Sequence, residues 1–147
     1  MKLPDWFERF DARFVAFMSA YGPRAVRISL GIVFVWFGLL KVIGRSPVAE
    51  LVAHTVYWLP ARVAVPLLGG WEMAVGLGLL FRMVMRLTLL LFWMLLAGTF
   101  LVLVLRPEIA FQGGNPMMLT MEGEFVIKNL ALIAGGLVVG GRVREVK

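Results

Sequence analysis

The sequence predicts an all-α integral membrane protein folded as a four-helix bundle. Of its residues 61% are hydrophobic and 16% charged, and the mean hydropathy is +0.88, whereas soluble domains are roughly half apolar and a quarter charged. Four hydrophobic segments each approach the about 20 residues that cross a bilayer as a helix. Basic residues flank these segments, so the net charge of +6 indicates membrane anchors and topology signals, and nucleic acid is not expected as a partner.

Residues 3–21 predict an amphipathic interfacial helix that lies on the membrane. Asp5 and Glu8, three residues apart, fit a capping box. Aromatic residues recur at helical spacing: Trp6, Phe10, Phe14, Phe17 and Tyr21. An aromatic face with a basic flank is typical of interfacial helices, although packing on the inner end of the bundle is an open alternative. The pair Gly22-Pro23 is expected to end this helix.

The rest of the chain predicts four spans within one domain, residues 1–147. Their predicted bounds are residues 25–43, 63–81, 87–105 and 125–141. The fourth is short and could begin as early as Glu122. The third carries no charge and is expected to be lipid-exposed or mainly structural. A short helix on the outer face is predicted within residues 46–59, and the second outer loop is expected to hold two extended pieces around a turn at residues 113–116.

The distribution of lysine and arginine predicts the orientation. One side holds ten: Lys2, Arg9, Arg13, Arg24, Arg27, Arg82, Arg86, Arg142, Arg144 and Lys147. The other side holds four: Lys41, Arg45, Arg62 and Arg106. By the positive-inside rule, both termini are expected in the cytoplasm.

The first span carries two cations on a glycine-lined stripe. Arg27, Gly31, Gly38 and Lys41 stand at offsets that place them on one helical face, and small residues let membrane helices approach closely. Both cations lie near span ends, so snorkelling toward the interface is the first interpretation, above all for Arg27. Lys41 shares the face that the glycines are expected to turn inward.

A carboxylate is predicted near the middle of the second span. Glu72 shares a helical face with Gly69 and Gly76, and its short side chain has no snorkelling route. An ionised carboxylate at that depth requires a basic partner, or it must be protonated. Two interpretations stay open for Glu72: a functional site and a structural ion pair that fixes helix register.

The fourth span adds the remaining polar candidates. Glu124 and Lys128 are four residues apart in the favourable order for a helical ion pair, and Asn129 follows. A polar pocket in the outer half of the bundle is therefore predicted from Lys41, Glu72, Glu122, Glu124, Lys128 and Asn129. His54 and Glu50 are weaker candidates, since a lone histidine at an interface is ordinarily solvated. With no cysteine and one histidine, a metal site is not expected.

These segments resemble the DoxX family of small bacterial membrane proteins. The resemblance rests on RISLGIVFVWFGLLKVIGRSP (27–47), LLGGWEMAVGLGLLF (67–81) and NPMMLTMEGEFVIKN (115–129). It covers nearly everything from the first span to the end of the fourth, and the N-terminal helix lies outside it. It implies a four-helix bundle of the bacterial inner membrane, and the founding members resemble membrane subunits of a thiosulfate:quinone oxidoreductase. The positions that match the family's polar signature are Lys41, Glu72, Glu122, Lys128 and Asn129. No catalytic residue carries over.

Three functions follow as expectations. The first is a membrane subunit of a redox system that binds a quinone or lipid-like molecule in the polar pocket, with electrons from a soluble oxidoreductase partner. The second is a structural or assembly protein whose ion pairs only stabilise the bundle. A small transporter comes last, because four helices rarely enclose a solute path and no inverted repeat is evident. The lipid bilayer is the expected environment, and a homo-oligomer stays open.

Overall fold

The computed structural model describes residues 4–143, and within this range the chain is helical apart from its connections and one isolated bridge. The helices are α1 (Asp5–Val42), α2 (Ala49–Thr55), α3 (Ala61–Phe81), α4 (Met85–Leu105), α5 (Pro107–Ala110) and α6 (Met121–Gly141). The predictions that concern Lys2, Leu3, Arg144 and Lys147 lie outside the described residues.

Among residues 4–143, four helices are long and apolar enough to cross a membrane: α1, α3, α4 and α6. This confirms the number of predicted spans and the all-helical class. The fourth helix begins at Met121, four residues before the predicted start, so it is as long as α3 and α4. Many large apolar side chains are exposed along these helices, including Trp36, Leu67 and Leu137. Such a surface is consistent with a lipid bilayer and indicates a multi-pass membrane protein.

The four long helices pack in the ring order α1, α3, α4, α6, and the most extensive contact joins α1 to α3. The core lies where they meet, and its largest fully buried side chain is Phe92 of α4. The long connections, α1 to α3 and α4 to α6, lie at one end of the bundle, and the short turn from α3 to α4 lies at the other. We call the end with residues 43–60 and 106–120 the loop end. The opposite end carries Arg24, Arg27, Arg82, Arg86 and Arg142 and is called the basic end.

The predicted break at Gly22-Pro23 is wrong, because α1 runs without interruption through Pro23. A proline removes one backbone donor and crowds the preceding turn, but its ring also clashes with the Cβ of the residue before it, and Gly22 has no Cβ. Neighbouring turns therefore sustain the helix, as is common for proline in apolar helices. The aromatic residues of the predicted interfacial segment lie on the exposed first half of this 38-residue helix.

The connections at the loop end differ from the prediction in one respect. A helix was expected within residues 46–59, and α2 confirms it. The second connection was expected to hold two extended pieces, but it forms α5, a 3-10 turn and a bridge between Phe111 and Leu119. It is tied to α6 by Thr120, whose hydroxyl donates to the Ile109 carbonyl and accepts from the Gly123 amide at 3.0 Å. This N-cap fixes where α6 begins.

Candidate functional site

The site is built on a glycine seam between α1 and α3. We define the seam by two facing pairs, Gly38 with Gly69 and Gly31 with Gly76. A Cβ added to Gly38 would lie 2.5 Å from the Gly69 carbonyl oxygen, and one added to Gly76 would lie 2.7 Å from the Gly31 oxygen. Backbones this close require glycine. The predicted inward orientation of both glycine stripes is confirmed.

The seam brings Lys41 and Glu72 together. The Lys41 ammonium donates to both carboxylate oxygens, with Nζ–Oε2 at 2.7 Å and Nζ–Oε1 at 2.9 Å. Their side chains are only 5% and 12% exposed. Lys41 is the last residue but one of α1, so it has a short route to the interface, yet it turns into the bundle. The ion pair, not snorkelling, determines its conformation.

A cavity of about 260 Å³ adjoins this ion pair. Its walls are almost entirely apolar and come from five helices, α1, α2, α3, α4 and α6. The residues that line it are Lys41, Val48, Leu51, Val52, Thr55, Val56, Leu68, Trp71, Glu72, Met94, Leu95, Gly98, Thr99, Val102 and Phe125. An apolar cavity with a few convergent polar groups is the general form of a small-molecule site.

The cavity reaches the surface of the bundle along α4. Met94 is 51% exposed, and Gly98, one turn further along, is exposed too. The facing residues Leu68 and Trp71 of α3 are only half-buried. Trp71 is held by its indole N–H, which donates to the Leu91 carbonyl of α4 at 3.2 Å. The mouth therefore opens on an apolar flank of the bundle, where lipid chains would lie in a membrane.

Asn129 lies next to Glu72 in a separate small cavity of about 50 Å³. Asn129 is 9% exposed, and its side-chain amide, whose atoms are not fully buried, makes no hydrogen bond with any residue in 4–143. Glu72, Leu95, Thr99 and Phe125 line both this space and the larger cavity. Asn129 therefore lies beside the main cavity without lining it.

The structure separates three predicted pocket residues from this site. Glu122 is exposed at the start of α6. Glu124 and Lys128 form the predicted helical ion pair at 3.3 Å, but their side chains are 58% and 75% exposed. The prediction that Glu124 and Lys128 meet Lys41 and Glu72 in one pocket is therefore wrong. The face of α6 that turns inward carries Val126 and Asn129 instead.

Arg27 and His54 do not line the cavity beside Lys41 and Glu72. Arg27 turns toward α3, where its guanidinium donates to the carbonyls of Leu79 and Leu80. It thus caps the C-terminal end of α3, where carbonyl groups lack helical partners. His54 is exposed, and its backbone carbonyl accepts hydrogen bonds from the Arg106 guanidinium at 3.1 and 3.2 Å. Glu50 is exposed, and neither His54 nor Glu50 lines the cavity.

The contribution of α4 to the cavity was not predicted from the sequence. An uncharged span was expected to be lipid-exposed or mainly structural, but α4 supplies five of the cavity-lining residues. The pair Gly98-Thr99 could have indicated it, because a glycine without a side chain stands next to a hydroxyl group in a helix of mostly large apolar residues. Thr99 donates to its own helix, at the Leu95 carbonyl, so its oxygen still has accepting capacity toward the cavity.

Comparisons with protein-family models, with curated proteins and with solved structures return no match to this chain.

Proposed function

We propose that this chain is a DoxX-like protein of the bacterial inner membrane that binds a quinone or a lipid-like molecule, as the membrane subunit of a redox system. One observation carries the proposal: an apolar cavity of about 260 Å³ has a buried ammonium–carboxylate pair in its wall. The lining suits an apolar ring, and the ion pair provides the polar contact that orients it. The mouth along α4 gives a ligand dissolved in the bilayer a direct route of entry.

The chemistry of Lys41 fits a carbonyl ligand. An ammonium group has three N–H donors, and Glu72 accepts from Nζ through its two oxygens. A donor that is not directed at Glu72 can be given to a quinone carbonyl. Glu72 is within hydrogen-bond distance of the same nitrogen, so it can take up or return a proton there. The cavity lies just below the ~300–1,000 Å³ of typical small-molecule pockets, which suits a single ring with its tail in the lipid.

Electrons would have to come from another protein. The chain contains no cysteine and one histidine, and among residues 4–143 no three His, Asp or Glu side chains lie close enough together to hold a metal ion. A soluble oxidoreductase subunit is the partner that this proposal requires. A second copy of the chain remains compatible with it.

The orientation is part of the proposal. With both termini in the cytoplasm, the loop end and the nearby cavity mouth lie toward the outer face, and the exposed aromatic first half of α1 lies at the cytoplasmic side. The proposal therefore places the quinone site in the outer leaflet half of the bundle.

Single-cysteine labelling is expected to confirm this orientation. Because the chain lacks cysteine, Asn115→Cys at the loop end and Met83→Cys at the basic end each introduce the one reactive thiol. A membrane-impermeant maleimide should label Asn115→Cys in intact spheroplasts and Met83→Cys only after lysis. The cysteine-free parent controls for background. The reverse pattern would place the termini outside and refute the orientation.

Filling the cavity is expected to abolish ligand binding. A Cβ at Gly98 meets no atom within 4 Å, so Gly98→Leu should be accepted by the backbone while its side chain occupies the cavity mouth. We expect a short-chain ubiquinone analogue to bind the wild-type protein in nanodiscs saturably. Binding to Gly98→Leu should be weaker by at least about ten-fold, which corresponds to about 1.4 kcal/mol. Equilibrium dialysis measures both.

Gly70→Leu is the matched control. Gly70 is exposed on α3, it likewise has open space around a Cβ, and it does not line the cavity. Its quinone affinity should equal that of the wild type. If the wild-type protein shows no saturable binding, or if Gly98→Leu binds as well as Gly70→Leu, the quinone proposal is refuted.

A structural role is the second candidate, and the ion-pair geometry favours it. Glu72 engages Lys41 through both oxygens, and in residues 4–143 no fully buried side-chain nitrogen or oxygen lacks a partner. A closed, satisfied pair beside a glycine seam is what a register-fixing device requires. The quinone affinity of the double variant Lys41→Met/Glu72→Leu separates the two functions.

A further inference from the structure

An open surface groove lies at the basic end of the bundle. It has a volume of about 470 Å³ and runs between the start of α4 and the end of α6. The residues that line it are Arg86, Leu89, Leu90, Trp93, Gly140, Gly141 and Val143. This groove, hereafter the α4–α6 groove, is at the opposite end from the cavity beside Lys41 and Glu72.

The charge around the α4–α6 groove is positive. Arg86 lines it, Arg82 lies in the turn that precedes α4, and Arg142 follows Gly141. None of its described lining residues is acidic. The Arg86 guanidinium makes no hydrogen bond or ion pair with any residue in 4–143. A permanent cation with five N–H donors thus lies at the mouth of the groove, and no residue in 4–143 accepts from it.

The side chains that line the α4–α6 groove beyond Arg86 are apolar, and exposed backbone of the glycines adds polar surface. Leu89, Leu90 and Trp93 follow Arg86 along α4 toward the interior of the bundle. The indole N–H of Trp93 has no hydrogen-bond partner among the described residues. On the other side, Gly140 and Gly141 leave α6 without side chains, which creates the width of the groove.

We propose that the α4–α6 groove binds one anionic phospholipid. The phosphate is placed against Arg86, where a guanidinium can donate two parallel hydrogen bonds. The acyl chain lies along Leu89, Leu90 and Trp93. A free phosphate ion would use only the charged mouth, whereas a lipid also covers the apolar wall. Basic pockets between membrane helices are known to select anionic head groups. This site is independent of the quinone proposal.

Native mass spectrometry of the detergent-purified full chain tests the site. Dioleoyl phosphatidylglycerol and dioleoyl phosphatidylcholine are titrated in turn, and the dissociation constant of the first bound lipid is measured. The wild-type protein should prefer phosphatidylglycerol by about five-fold, as expected for one basic residue at an anionic lipid. Arg86→Gln should remove that preference. Gly141→Leu, where an added Cβ meets no atom within 4 Å, should weaken the binding of both lipids by filling the groove.

Arg62→Gln is the control for charge alone. Arg62 is an exposed arginine near the start of α3, at the loop end, and its variant should keep the five-fold preference. Equal losses in Arg62→Gln and Arg86→Gln would mean that net charge, not the groove, selects the lipid, and would overturn the proposal. Displacement of phosphatidylglycerol by excess inorganic phosphate would identify a free-anion site instead. Unchanged lipid binding in Gly141→Leu would also refute the groove as the site.

Discussion

Replacement of Lys41 by methionine is expected to lower the free energy of unfolding by about 3–5 kcal/mol, because it leaves the Glu72 carboxylate buried without a partner. Glu72 is near the middle of α3 and is 9% exposed. A carboxylate at that depth cannot reach water, so the variant must bury the charge or bind a proton. Equilibrium unfolding in mixed micelles of dodecyl maltoside and SDS measures the loss.

Removal of the other partner, in Glu72→Leu, is expected to lower the free energy of unfolding by less. The freed Lys41 ammonium is attached one residue from the end of α1, so its four-carbon side chain can extend toward the interface. The double variant Lys41→Met/Glu72→Leu should unfold with a free energy within about 1 kcal/mol of the wild type. Apolar groups of similar size generally replace a buried ion pair without loss of stability. The two single effects are then strongly non-additive, as expected for groups in contact.

Lys128→Met is the matched control, since it removes a lysine from the exposed Glu124–Lys128 pair. Exposed helical pairs contribute about 0.3–0.5 kcal/mol, so its stability should be nearly unchanged. A loss in Lys128→Met as large as that in Lys41→Met would contradict the assignment of Lys41–Glu72 as the buried pair.

The same double variant decides between the two candidate functions. If the ion pair binds the quinone head group, Lys41→Met/Glu72→Leu should be folded but lose affinity for the ubiquinone analogue. If the pair is only structural, the folded double variant should bind or function as the wild type does. The stability of the double variant is expected to be nearly unchanged in both cases, so its ligand affinity separates the two functions.

The sequence was sufficient to predict the spans and the inward face of two of them. Hydropathy alone identifies α3, α4 and α6, and glycines spaced seven residues apart mark the α1–α3 contact through Gly31, Gly38, Gly69 and Gly76. Lys41 and Glu72 stand on these glycine faces, so helical periodicity and the cost of an unpaired buried carboxylate predict that they share one polar pocket. The sequence did not single them out as a pair, because Glu122, Glu124, Lys128 and Asn129 were predicted in the same pocket.

The remaining charges could not be placed in the same way. Lys128 and Glu124 satisfy each other within one helix, so nothing requires their face to turn toward the core. The rotation of α6 is set instead by Val126 and by the Gly123 contact with Ala110. That contact depends on the path of residues 106–120, for which periodicity gives no information. The cavity itself requires the packing of five helices, which no local pattern encodes.

Substitution of the glycine seam is expected to be the most damaging change to the fold after loss of Lys41. In Gly76→Ala the added methyl would lie 2.7 Å from the Gly31 carbonyl oxygen and from the Val35 amide nitrogen. Both are backbone atoms of α1, so neither can rotate away. Alanine in place of glycine favours a helix by about 0.8–1.0 kcal/mol, but overpacking costs about 1–3 kcal/mol. The clash with backbone places Gly76→Ala toward the upper part of that range and makes its net effect destabilising.

Gly70→Ala gives the opposite sign on the same helix. Its added methyl meets no atom within 4 Å, so only the helix preference acts, and the free energy of unfolding should be unchanged or should rise by up to about 1 kcal/mol. The same unfolding assay measures both variants. If Gly76→Ala were as stable as Gly70→Ala, α1 and α3 could separate without cost, and the close approach that forms the Lys41–Glu72 pair would not be a requirement of the fold. A loss confined to Gly76→Ala would instead establish that the seam, and not the ion pair alone, determines the spacing of these two helices.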